Sequence, residues 1–537
     1  MQTRIKDFTA FFEKDYPLIK LFEYGSDILI YDAKPHFAFI VSYNEMDVLI
    51  DFLQGKSTDK ITKTNTDFDK DSLSALLNRY QELLDCGVFI KGPVEEISPV
   101  DKGTLEKQIQ YYDENILLRK FALEVTEDCN YRCKYCPNTL ATEFRQHTKT
   151  YMTMDIAKES IDYYFRQYTK VFDKCDAKTK ELILEIASPT LSWYGGEPLL
   201  NFEVIFNSAT YFKSLPWHLH GISIEQLKFS MNTNLSIMNE KILNFLAENN
   251  IILFVSLDGP KEEHDKCRVF INGKGTFDTA YANLMKIKEF NLDYFKKRVT
   301  VFGVYTEEHD IEKCKTFLQN LEAFSFEHFS ADYRGIFVKN ANDTLNFFEK
   351  NFQKNLIIEK KKINSISNFD SKKGDFLYTF DYIDIYTDNP NGKNTLDILM
   401  TCPMAYDNLM AGANGDFYIC HKTDGSMPIG NCKSGVNFNK IVDLFQNYNE
   451  VVNNDACKSC WNIHFCKVCA ATRMISNRFI NPTFTECEFK RLSSAFNFEL
   501  FIYLYLNYLQ YYQALVEFKN DKKSNIGIID INHFINN

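Results

Sequence analysis

The chain has 537 residues, of which 45% are hydrophobic, so it can bury sizeable cores in about three or four domains. Its formal charge of −11 argues against a surface made for nucleic-acid phosphates, which Lys and Arg bind. The amino terminus has no uninterrupted apolar stretch for secretion, and the most apolar run, Leu500–Phe518, is too polar to span a membrane. We therefore expect a cytoplasmic protein without a nucleic-acid or membrane partner.

Residues 1–94 predict a small domain of winged-helix type. Ser42 and Glu45 fit a capping box that opens one amphipathic helix, and a second such helix ends at Gly87. Short apolar runs on either side of these helices indicate strands. The expected strands are Asp27–Tyr31, His36–Val41 and Val88–Ile90.

From Phe121 onward, apolar β-type segments alternate with helical ones. Strands that alternate with helices form βα units and a parallel sheet, and six strands are too few to close an eight-stranded barrel. The sequence therefore predicts an α/β fold with a partial (β/α)6 TIM barrel. The expected strands are Phe121–Thr126, Leu191–Tyr194, Leu227–Met231, Ile252–Leu257, Val299–Tyr305 and Phe326–Ala331.

Changes in composition indicate the domain boundaries. Gly and Pro mark a linker after the first domain, Lys, Asn and Asp dominate a later connector, and cysteines are dense near the carboxyl end. The expected units are the winged-helix-like domain 1–94, a linker 95–114, the partial barrel 115–335, a connector or lid 336–395, a cysteine-rich domain 396–490, and a helix and tail 491–537.

Three of the fifteen cysteines, Cys129, Cys133 and Cys136, follow directly on the first strand of the βα array. Clustered thiols in a reducing cytosol are metal ligands or catalysts more often than disulfides. Three thiolates can hold three irons of a cube and leave the fourth iron open, whereas zinc usually takes four protein ligands. The spacing therefore favours an iron–sulfur cluster over zinc.

The run Cys129-Asn-Tyr-Arg-Cys133-Lys-Tyr-Cys136 resembles the signature of the radical S-adenosylmethionine (SAM) superfamily, in which SAM chelates the open iron. A Tyr-Gly-Gly-Glu-Pro turn at the end of the second strand resembles that family's motif for the amino group of SAM. Paired glycines allow a close backbone approach, and the glutamate can accept from an ammonium. The resemblance implies SAM contacts at Tyr194, Gly195, Gly196, Glu197 and Pro198.

Two further strand ends continue this resemblance. By analogy, Ser256 and Arg268 are expected to meet the carboxylate or ribose of SAM. Asn232 and Asn234 are expected to hydrogen-bond the nucleoside, although satisfying the end of a strand is the alternative for either residue.

The carboxyl-terminal cysteines resemble the SPASM domain, which holds two auxiliary clusters in many peptide-modifying radical SAM enzymes. The resemblance implies three 4Fe–4S clusters in all. In one auxiliary cluster, either Cys432 is the fourth ligand or one iron is open and could bind a substrate thiolate. Paired Cys-x2-Cys units are also typical of zinc ribbons, so a zinc-stabilised, non-catalytic binding protein is the alternative from another class. The implied ligands are Cys457, Cys460, Cys466 and Cys487 for one auxiliary cluster, and Cys402, Cys420 and Cys469 for the other.

The amino-terminal domain resembles the RiPP recognition element, which binds the leader of a ribosomally made peptide as an added strand. A DNA-binding winged helix is the alternative, but the helices here are acidic. With the cluster motifs, this resembles a peptide maturase of the sactipeptide or ranthipeptide type. We expect a Cys thioether cross-link on a precursor peptide, with a flavodoxin or ferredoxin as reductant.

Alternative products are a C–C or C–O cross-link, or formylglycine as in sulfatase maturases. Enzymes of that last type carry an aspartate base directly after the cysteine equivalent to Cys420, where this chain has His421. Formylglycine formation is therefore less favoured, unless Asp424 substitutes. The expected catalytic residues are Cys129, Cys133, Cys136 and His421.

Overall fold

A computed structural model gives the structure of most of the chain. Cys402, most of the expected connector 336–395 and everything after residue 507 lie outside the described residues. The structure describes residues 2–95, 97, 102–136, 138–139, 146–306, 308–321, 323–329, 346, 349–350, 352–354, 356–357, 360–361, 405–406, 408–466 and 469–507.

The amino-terminal domain consists of a three-stranded antiparallel sheet in the order β1-β2-β3 and four helices. The first helix and the first strand were not expected from the sequence. The elements are α1 Gln2–Asp15, β1 Ile19–Tyr24, β2 Asp27–Asp32, β3 Phe37–Ser42, α2 Tyr43–Leu53, α3 Thr58–Thr64 and α4 Lys70–Asp85.

The expected capping box at the start of α2 is confirmed. The Ser42 hydroxyl accepts from the Glu45 N–H at 3.2 Å, and the Glu45 carboxylate accepts from the Ser42 N–H at 2.7 Å. The expected strand Val88–Ile90 does not form. The chain turns at Gly87 instead. The Phe89 N–H then donates to the carboxylate of Asp32 at 2.8 Å, which satisfies an acceptor that is buried away from water.

The six strands expected for the partial barrel are present and pair in parallel in chain order. A helix, α5 Lys102–Asn115, lies within the expected linker, and the last strand begins two residues earlier than expected. The strands are β4 Lys120–Thr126, β5 Thr190–Gly195, β6 Lys228–Thr233, β7 Ile252–Ser256, β8 Val299–Tyr305 and β9 Phe324–Phe329.

Helices cover one face of this sheet and bury its alternate side chains. Trp193 and Phe229, on neighbouring strands, stack with ring centroids 5.4 Å apart under these helices. Because side chains alternate along a strand, Ser192 and Ser230 face the other side, where their hydroxyls lie 2.7 Å apart. The helices are α6 Met154–Phe172, α7 Ala177–Ile186, α8 Phe202–Ser214, α9 Glu240–Glu248, α10 Lys261–Cys267, α11 Phe277–Phe290, α12 Leu292–Arg298 and α13 Ile311–Gln319.

The cysteine-rich region extends the barrel sheet to ten strands, which the sequence did not indicate. Its first strand, β10, pairs in parallel with the first four residues of β4, Lys120 to Leu123. The elements are β10 Asn408–Ala411, β11 Asp416–Tyr418, β12 Gly430–Asn431, β13 Gly435–Val436, α14 Phe438–Val452, α15 Asp455–Lys458, α16 Ala470–Arg473, β14 Met474–Ile475, β15 Arg478–Phe479 and α17 Phe484–Asn507.

The amino-terminal sheet packs against the cysteine-rich region. Phe22 stacks on Phe498 of α17 with ring centroids 4.7 Å apart, and Tyr31 contacts Phe465 at 5.5 Å. The Val94 N–H donates to a backbone carbonyl at the end of α15 at 3.1 Å. These contacts form an apolar core that is separate from the core of the barrel.

Among the described helices, none is both long enough and apolar enough to cross a bilayer.

Candidate functional site

The three-cysteine loop follows β4 at the carboxyl end of the parallel sheet. The thiol of Cys129 is buried and accepts from the Tyr131 N–H at 3.4 Å and from the Asn234 amide at 3.7 Å. Burial raises the pKa of Cys129, and nearby Glu197, Cys133 and Cys136 raise it further. The charge state of Cys129 is therefore coupled to those of the other two cysteines of the loop.

Backbone hydrogen bonds hold this loop to the segment that follows β7. The Arg132 N–H donates to the Val269 carbonyl at 2.7 Å, and the Lys134 N–H donates to the Cys267 carbonyl at 2.9 Å. The Tyr131 ring meets Phe270 edge-on, with ring centroids 5.1 Å apart. The loop therefore reaches from the end of β4 to the segment 267–270, which follows β7 at the end of α10.

Asp258, directly beyond β7, is the centre of a buried network beneath this loop. Its carboxylate accepts two hydrogen bonds from Arg268, each 2.9 Å, one from the Tyr135 hydroxyl at 2.8 Å and one from the Val304 N–H at 2.8 Å. Burial acts to raise the pKa of Asp258, but the Arg268 charge and these donors hold it below its usual value. The carboxylate is ionised, and its acceptor positions are filled.

Arg268 was expected to contact the carboxylate or ribose of SAM. Two of its guanidinium nitrogens are committed to Asp258, and the side chain is buried over the Tyr135 ring at 5.3 Å. Tyr135 lies between Cys133 and Cys136 in the loop. Arg268 and Asp258 therefore hold Tyr135 within the cysteine loop. Burial raises the pKa of Cys133, and the Arg268 charge acts directly against that rise.

The two glycines of the turn after β5 allow the closest approach in the site. A Cβ on Gly195, whose φ is +149°, would lie 2.2 Å from the Thr126 carbonyl oxygen. A Cβ on Gly196 would lie 2.2 Å from the Asp128 carbonyl oxygen and 2.9 Å from the Cβ of Cys129. Only glycine lets this turn lie directly against the cysteine loop.

Glu197 is fully buried and joins the ends of β5 and β6. Its carboxylate accepts from the Thr233 hydroxyl at 2.7 Å, the Asn234 N–H at 2.7 Å and the Leu199 N–H at 3.1 Å. Burial raises its pKa to about 7, against the opposing effect of these donors. Three of about four acceptor positions are filled, which leaves one for a further donor. Pro198 is buried at the start of the short 3-10 turn that follows.

The two expected asparagines lie in different environments. The Asn234 amide donates to Asn130 at 3.1 Å, and its carbonyl oxygen accepts from the Ser236 N–H at 2.9 Å, so it holds the loop after β6. Asn232 is exposed on the sheet face away from the helices. Strand alternation places Ser256 on that same face.

His421 reaches this site from the cysteine-rich region. Its ring lies 4.7 Å from the Tyr194 ring, centroid to centroid, and its Nδ1 lies 3.7 Å from the sulfur of Cys420. The chain leaves the sheet after Tyr418, the last residue of β11, and the ring contact with Tyr194 places His421 near the end of β5. His421 therefore lies beside Tyr194, the residue directly before the two glycines.

Asp424 does not share that position. It is buried, and its carboxylate accepts from the Ser426 N–H at 2.9 Å and from the Ser476 N–H at 2.9 Å. Both of its oxygens hold neighbouring loops in place. The side chain is therefore used within the protein.

The four ligands expected for one auxiliary cluster lie on separate elements of the cysteine-rich region. Cys457 lies on α15, Cys460 and Cys466 follow in the next loop, and Cys487 lies near the start of α17. Burial raises the pKa of Cys466 to about 12, and the nearby thiols of Cys460, Cys457 and Cys487 raise it as well. Within the described ranges, no three His, Cys, Asp or Glu side chains have the spacing of a single-ion site.

The structure describes all but one of the other expected auxiliary ligands. Cys420 follows β11 beside His421, and Cys469 stands at the amino end of α16. The thiol of Cys432 donates to the Glu159 carboxylate of α6 at 3.2 Å. Cys402 lies outside the described residues. None of the cysteines in the described part of the chain forms a disulfide.

Comparison with known proteins identifies the region that contains the three-cysteine loop. The family model of the radical SAM superfamily matches residues 123–318. These residues form a radical SAM domain. The matched segment contains the three-cysteine loop and the glycine turn, so the match favours an enzyme over a zinc-stabilised protein without catalytic activity.

Relatives of the radical SAM domain include two curated enzymes. A cysteine-type anaerobic sulfatase-maturating enzyme of Clostridium novyi is 30% identical over 141 residues, which span 26% of this chain and 35% of that enzyme. The radical SAM cyclopropyl synthase TigE of Paramaledivibacter caminithermalis is 23% identical over 256 residues, 46% of this chain and 48% of that enzyme. The chain thus matches half or less of the length of either relative.

A solved structure shares the fold over a longer stretch. The histidine-tagged form of anSMEcpe with bound AdoMet superimposes with a TM-score of 0.52 at 17% identity, over 74% of this chain and 98% of that one. The likeness extends beyond the radical SAM domain, and it supports the α/β architecture described above.

Within the radical SAM domain, Asp258, Tyr135 and Thr233 were not expected as site residues. Asp258 stands in the same strand-end motif as Ser256, and Tyr135 stands inside the cysteine motif. An acidic residue at the end of an apolar strand was the available signal. Arg268 lies ten residues from Asp258 in the chain and Tyr135 more than a hundred, so the sequence could not indicate which groups bind the Asp258 carboxylate.

Proposed function

We propose that the chain is a radical SAM peptide maturase that installs a cross-link in a ribosomally made precursor peptide. The observation that carries the proposal is the meeting of three elements at one edge of the sheet. The cysteine loop lies against Gly195 and Gly196, and Tyr194 of the same turn contacts His421. A cluster site, a close backbone approach and a proton acceptor are thereby brought together.

The donor set fits a 4Fe–4S cluster with bound SAM. Cys129, Cys133 and Cys136 supply three thiols on one loop, and donors from Tyr131 and Asn234 point at the sulfur of Cys129, where they favour a thiolate. When bound, the cluster and SAM would supply a 5′-deoxyadenosyl radical able to take a hydrogen atom from an unactivated carbon. The protein would orient the substrate and exclude water.

The environment of each polar residue suggests how SAM would be held. Gly195 and Gly196 would take the methionine end beside the cysteine loop, with the remaining acceptor position of Glu197 for its ammonium. Asn232 and Ser256 face the open side of the sheet, where they would meet the nucleoside. In this proposal Arg268 is a positioning residue, because its fork is bound to Asp258.

The peptide would enter through the amino-terminal sheet. β3 is an edge strand in the order β1-β2-β3, and an edge can add a leader peptide as a further strand through main-chain hydrogen bonds. The sheet packs on the loop between Cys457 and Cys466 through Trp461 and Phe465. A leader bound there would lie close to the cysteine-rich region.

The favoured product is a thioether between a peptide cysteine sulfur and a carbon of the same peptide. The C–H and S–H bonds break and a C–S bond forms, so the peptide gives up one hydrogen atom, one proton and one electron. With SAM bound, the deoxyadenosyl group would take the hydrogen atom, and the imidazole of His421 would accept the proton. The cysteines of the carboxyl-terminal region would hold an auxiliary cluster able to take up the electron.

Two such clusters are proposed, which brings the total to three. A flavodoxin or ferredoxin would supply the electron for SAM cleavage, and the cytoplasm would keep the thiols reduced. The Cys432 thiol donates to Glu159, so Cys432 would have to leave this partner to become the fourth ligand of the second auxiliary cluster. Otherwise the open iron would bind a substrate thiolate. The proposed ligands are Cys457, Cys460, Cys466 and Cys487 for the first, and Cys402, Cys420 and Cys469 for the second.

The test uses the full chain reconstituted without oxygen. Three cubes predict about twelve irons per chain. With SAM, a strong reductant and a cysteine-bearing precursor encoded beside the enzyme, the peptide should lose the mass of two hydrogens per bond and lose its free thiol. Bound zinc without visible absorption, or deoxyadenosine formed while the peptide with its leader stays unchanged, would contradict the proposal.

Formylglycine formation is the second candidate, favoured by the likeness to the Clostridium novyi enzyme. That reaction replaces the cysteine sulfur by a carbonyl oxygen, so mass spectrometry separates it from a thioether. The environment of Asp424 weighs against this candidate, because both oxygens already accept from Ser426 and Ser476. An aldehyde on the precursor cysteine, trapped by a hydrazide, would favour it over cross-linking.

A further inference from the structure

Arg491 contacts the four-cysteine set at the start of α17. It lies one helical turn after Cys487, so both side chains are on one face of the helix. One terminal nitrogen of its guanidinium donates to the sulfur of Cys460 at 3.5 Å, and its Nε donates to Glu488 at 3.0 Å. Glu488 thus fixes the orientation of a cation beside the thiols.

A second donor reaches the same set from a different element. The Asn454 amide nitrogen lies 3.3 Å from the sulfur of Cys457. The amide oxygen of Asn454 accepts from the Cys457 N–H at 3.0 Å, so this residue also caps α15. Two neighbouring sulfurs therefore each receive a side-chain donor from outside the cysteine set.

Donors and cations near a cluster act on its reduced form more than on its oxidised form. Reduction adds one negative charge, which the sulfurs share, and a hydrogen bond or a nearby positive charge stabilises that charge. Arginine remains protonated throughout the accessible pH range, so its effect is permanent. A four-thiolate site without such neighbours would be harder to reduce.

We propose that Arg491 and Asn454 raise the reduction potential of the cluster on Cys457, Cys460, Cys466 and Cys487, which makes it an electron acceptor. This inference rests on the proposed auxiliary cluster. One electron enters the cluster on reduction, and the ligands themselves are unchanged. The two residues would tune the cluster from outside its ligand set.

The test needs a background in which this cluster is the sole proposed one. All variants are made in the full chain, reconstituted anaerobically, and titrated with a reductant while the paramagnetic signal of the reduced cluster is followed. The readout is the midpoint potential, which is independent of peptide modification. The background substitutes alanine for Cys129, Cys133, Cys136, Cys420 and Cys469.

Three variants are compared with a matched control in this background. Arg491→Gln removes the charge. Asn454→Asp removes the donor and adds a negative charge beside Cys457, and both changes act in the same direction, while an aspartate still caps α15. Both should shift the midpoint to lower potential at unchanged iron content. Arg491→Lys should keep most of the potential because it keeps the charge. Arg478→Gln, which removes the same charge from an exposed site on β15, should leave the midpoint where it is.

The outcomes distinguish a failure of the proposed auxiliary cluster from a failure of the inference about its reduction potential. A background protein without bound iron would remove the auxiliary cluster itself and this inference with it. Bound iron whose midpoint is the same in Arg491→Gln and Asn454→Asp as in the background would overturn only the inference. A shift equally large in Arg478→Gln would show a general charge effect and would also overturn it.

Discussion

Asp258 and Arg268 form a buried, bidentate ion pair in which each carboxylate oxygen lies 2.9 Å from a different guanidinium nitrogen. The pair lies between β7 and the three-cysteine loop, and the Tyr135 hydroxyl donates to it from inside that loop. The same carboxylate holds the Val304 N–H of β8. One acidic side chain therefore links two strands to the loop that would hold the first cluster.

Asp258→Asn should destabilise the protein strongly. It leaves the Arg268 charge buried without a counter-charge, which costs about 3–5 kcal/mol in comparable pairs. The free energy of unfolding by urea measures the loss. The matched control is Asp293→Asn, which breaks an exposed ion pair with Lys297 at 2.9 Å and should cost less than about 1 kcal/mol. Equal losses in the two variants would contradict the role of the buried pair.

Gly196→Ala should prevent the glycine turn from lying against the cysteine loop. The added Cβ would meet the Asp128 carbonyl oxygen at 2.2 Å, so the turn or the loop must move. We expect a large loss of iron retained after reconstitution. Gly55→Ala tests a glycine with φ of +72° and open space around it; it should cost about 1 kcal/mol and keep the iron. Full iron in Gly196→Ala would show that the close approach is not needed.

His264 should make the stability of the protein depend on pH. Burial lowers its pKa to about 3, and its ring bonds the Asp258 N–H and the Thr276 hydroxyl in the neutral form. Because the folded state lowers this pKa from 6.5, the unfolded chain binds more protons between about pH 6.5 and 3. The contribution of the neutral ring is therefore complete above pH 6.5 and falls as the pH is lowered.

Urea unfolding of the apoprotein at stepped pH checks this expectation. The difference in unfolding free energy between the parent and His264→Gln should shrink as the pH falls through that window. His218→Gln, at an exposed histidine, should show no such change. A constant difference for His264→Gln from neutral to acidic pH would mean that the buried ring does not titrate as stated.

Cys133→Ala should abolish SAM cleavage, because two thiols cannot hold three irons of a cube. Deoxyadenosine formation under a strong reductant is the measurement. Cys175→Ala is the control, since that thiol contacts the Val171 carbonyl at 3.5 Å at the end of α6 and lies outside the site. Parent-level deoxyadenosine from Cys133→Ala would contradict the assignment of the radical site.

Local patterns in the sequence determined the local structure well. The strands from Phe121 to Tyr305 are long enough for an apolar pattern to indicate them, and Ser42 with Glu45 specified a helix start through contacts three residues apart. The spacing of Cys129, Cys133 and Cys136 likewise indicated a shared loop, because such near neighbours cannot lie far apart. The acidic composition of the segment from Ser42 to Leu84 was also evident from the sequence.

Only the tertiary structure decided how these parts meet. β10 to β13 have two to four residues each, too few to show any periodicity. Only the structure shows that β10 pairs with β4 and that His421, beyond β11, lies against Tyr194. The same holds for the ion pair of Asp258 with Arg268. Such contacts join residues that are distant in the chain, and the packing of the whole core selects them. The sequence shows which polar and charged groups need a partner when they are buried. The tertiary structure decides which partner each group receives, because folding determines which groups are buried together.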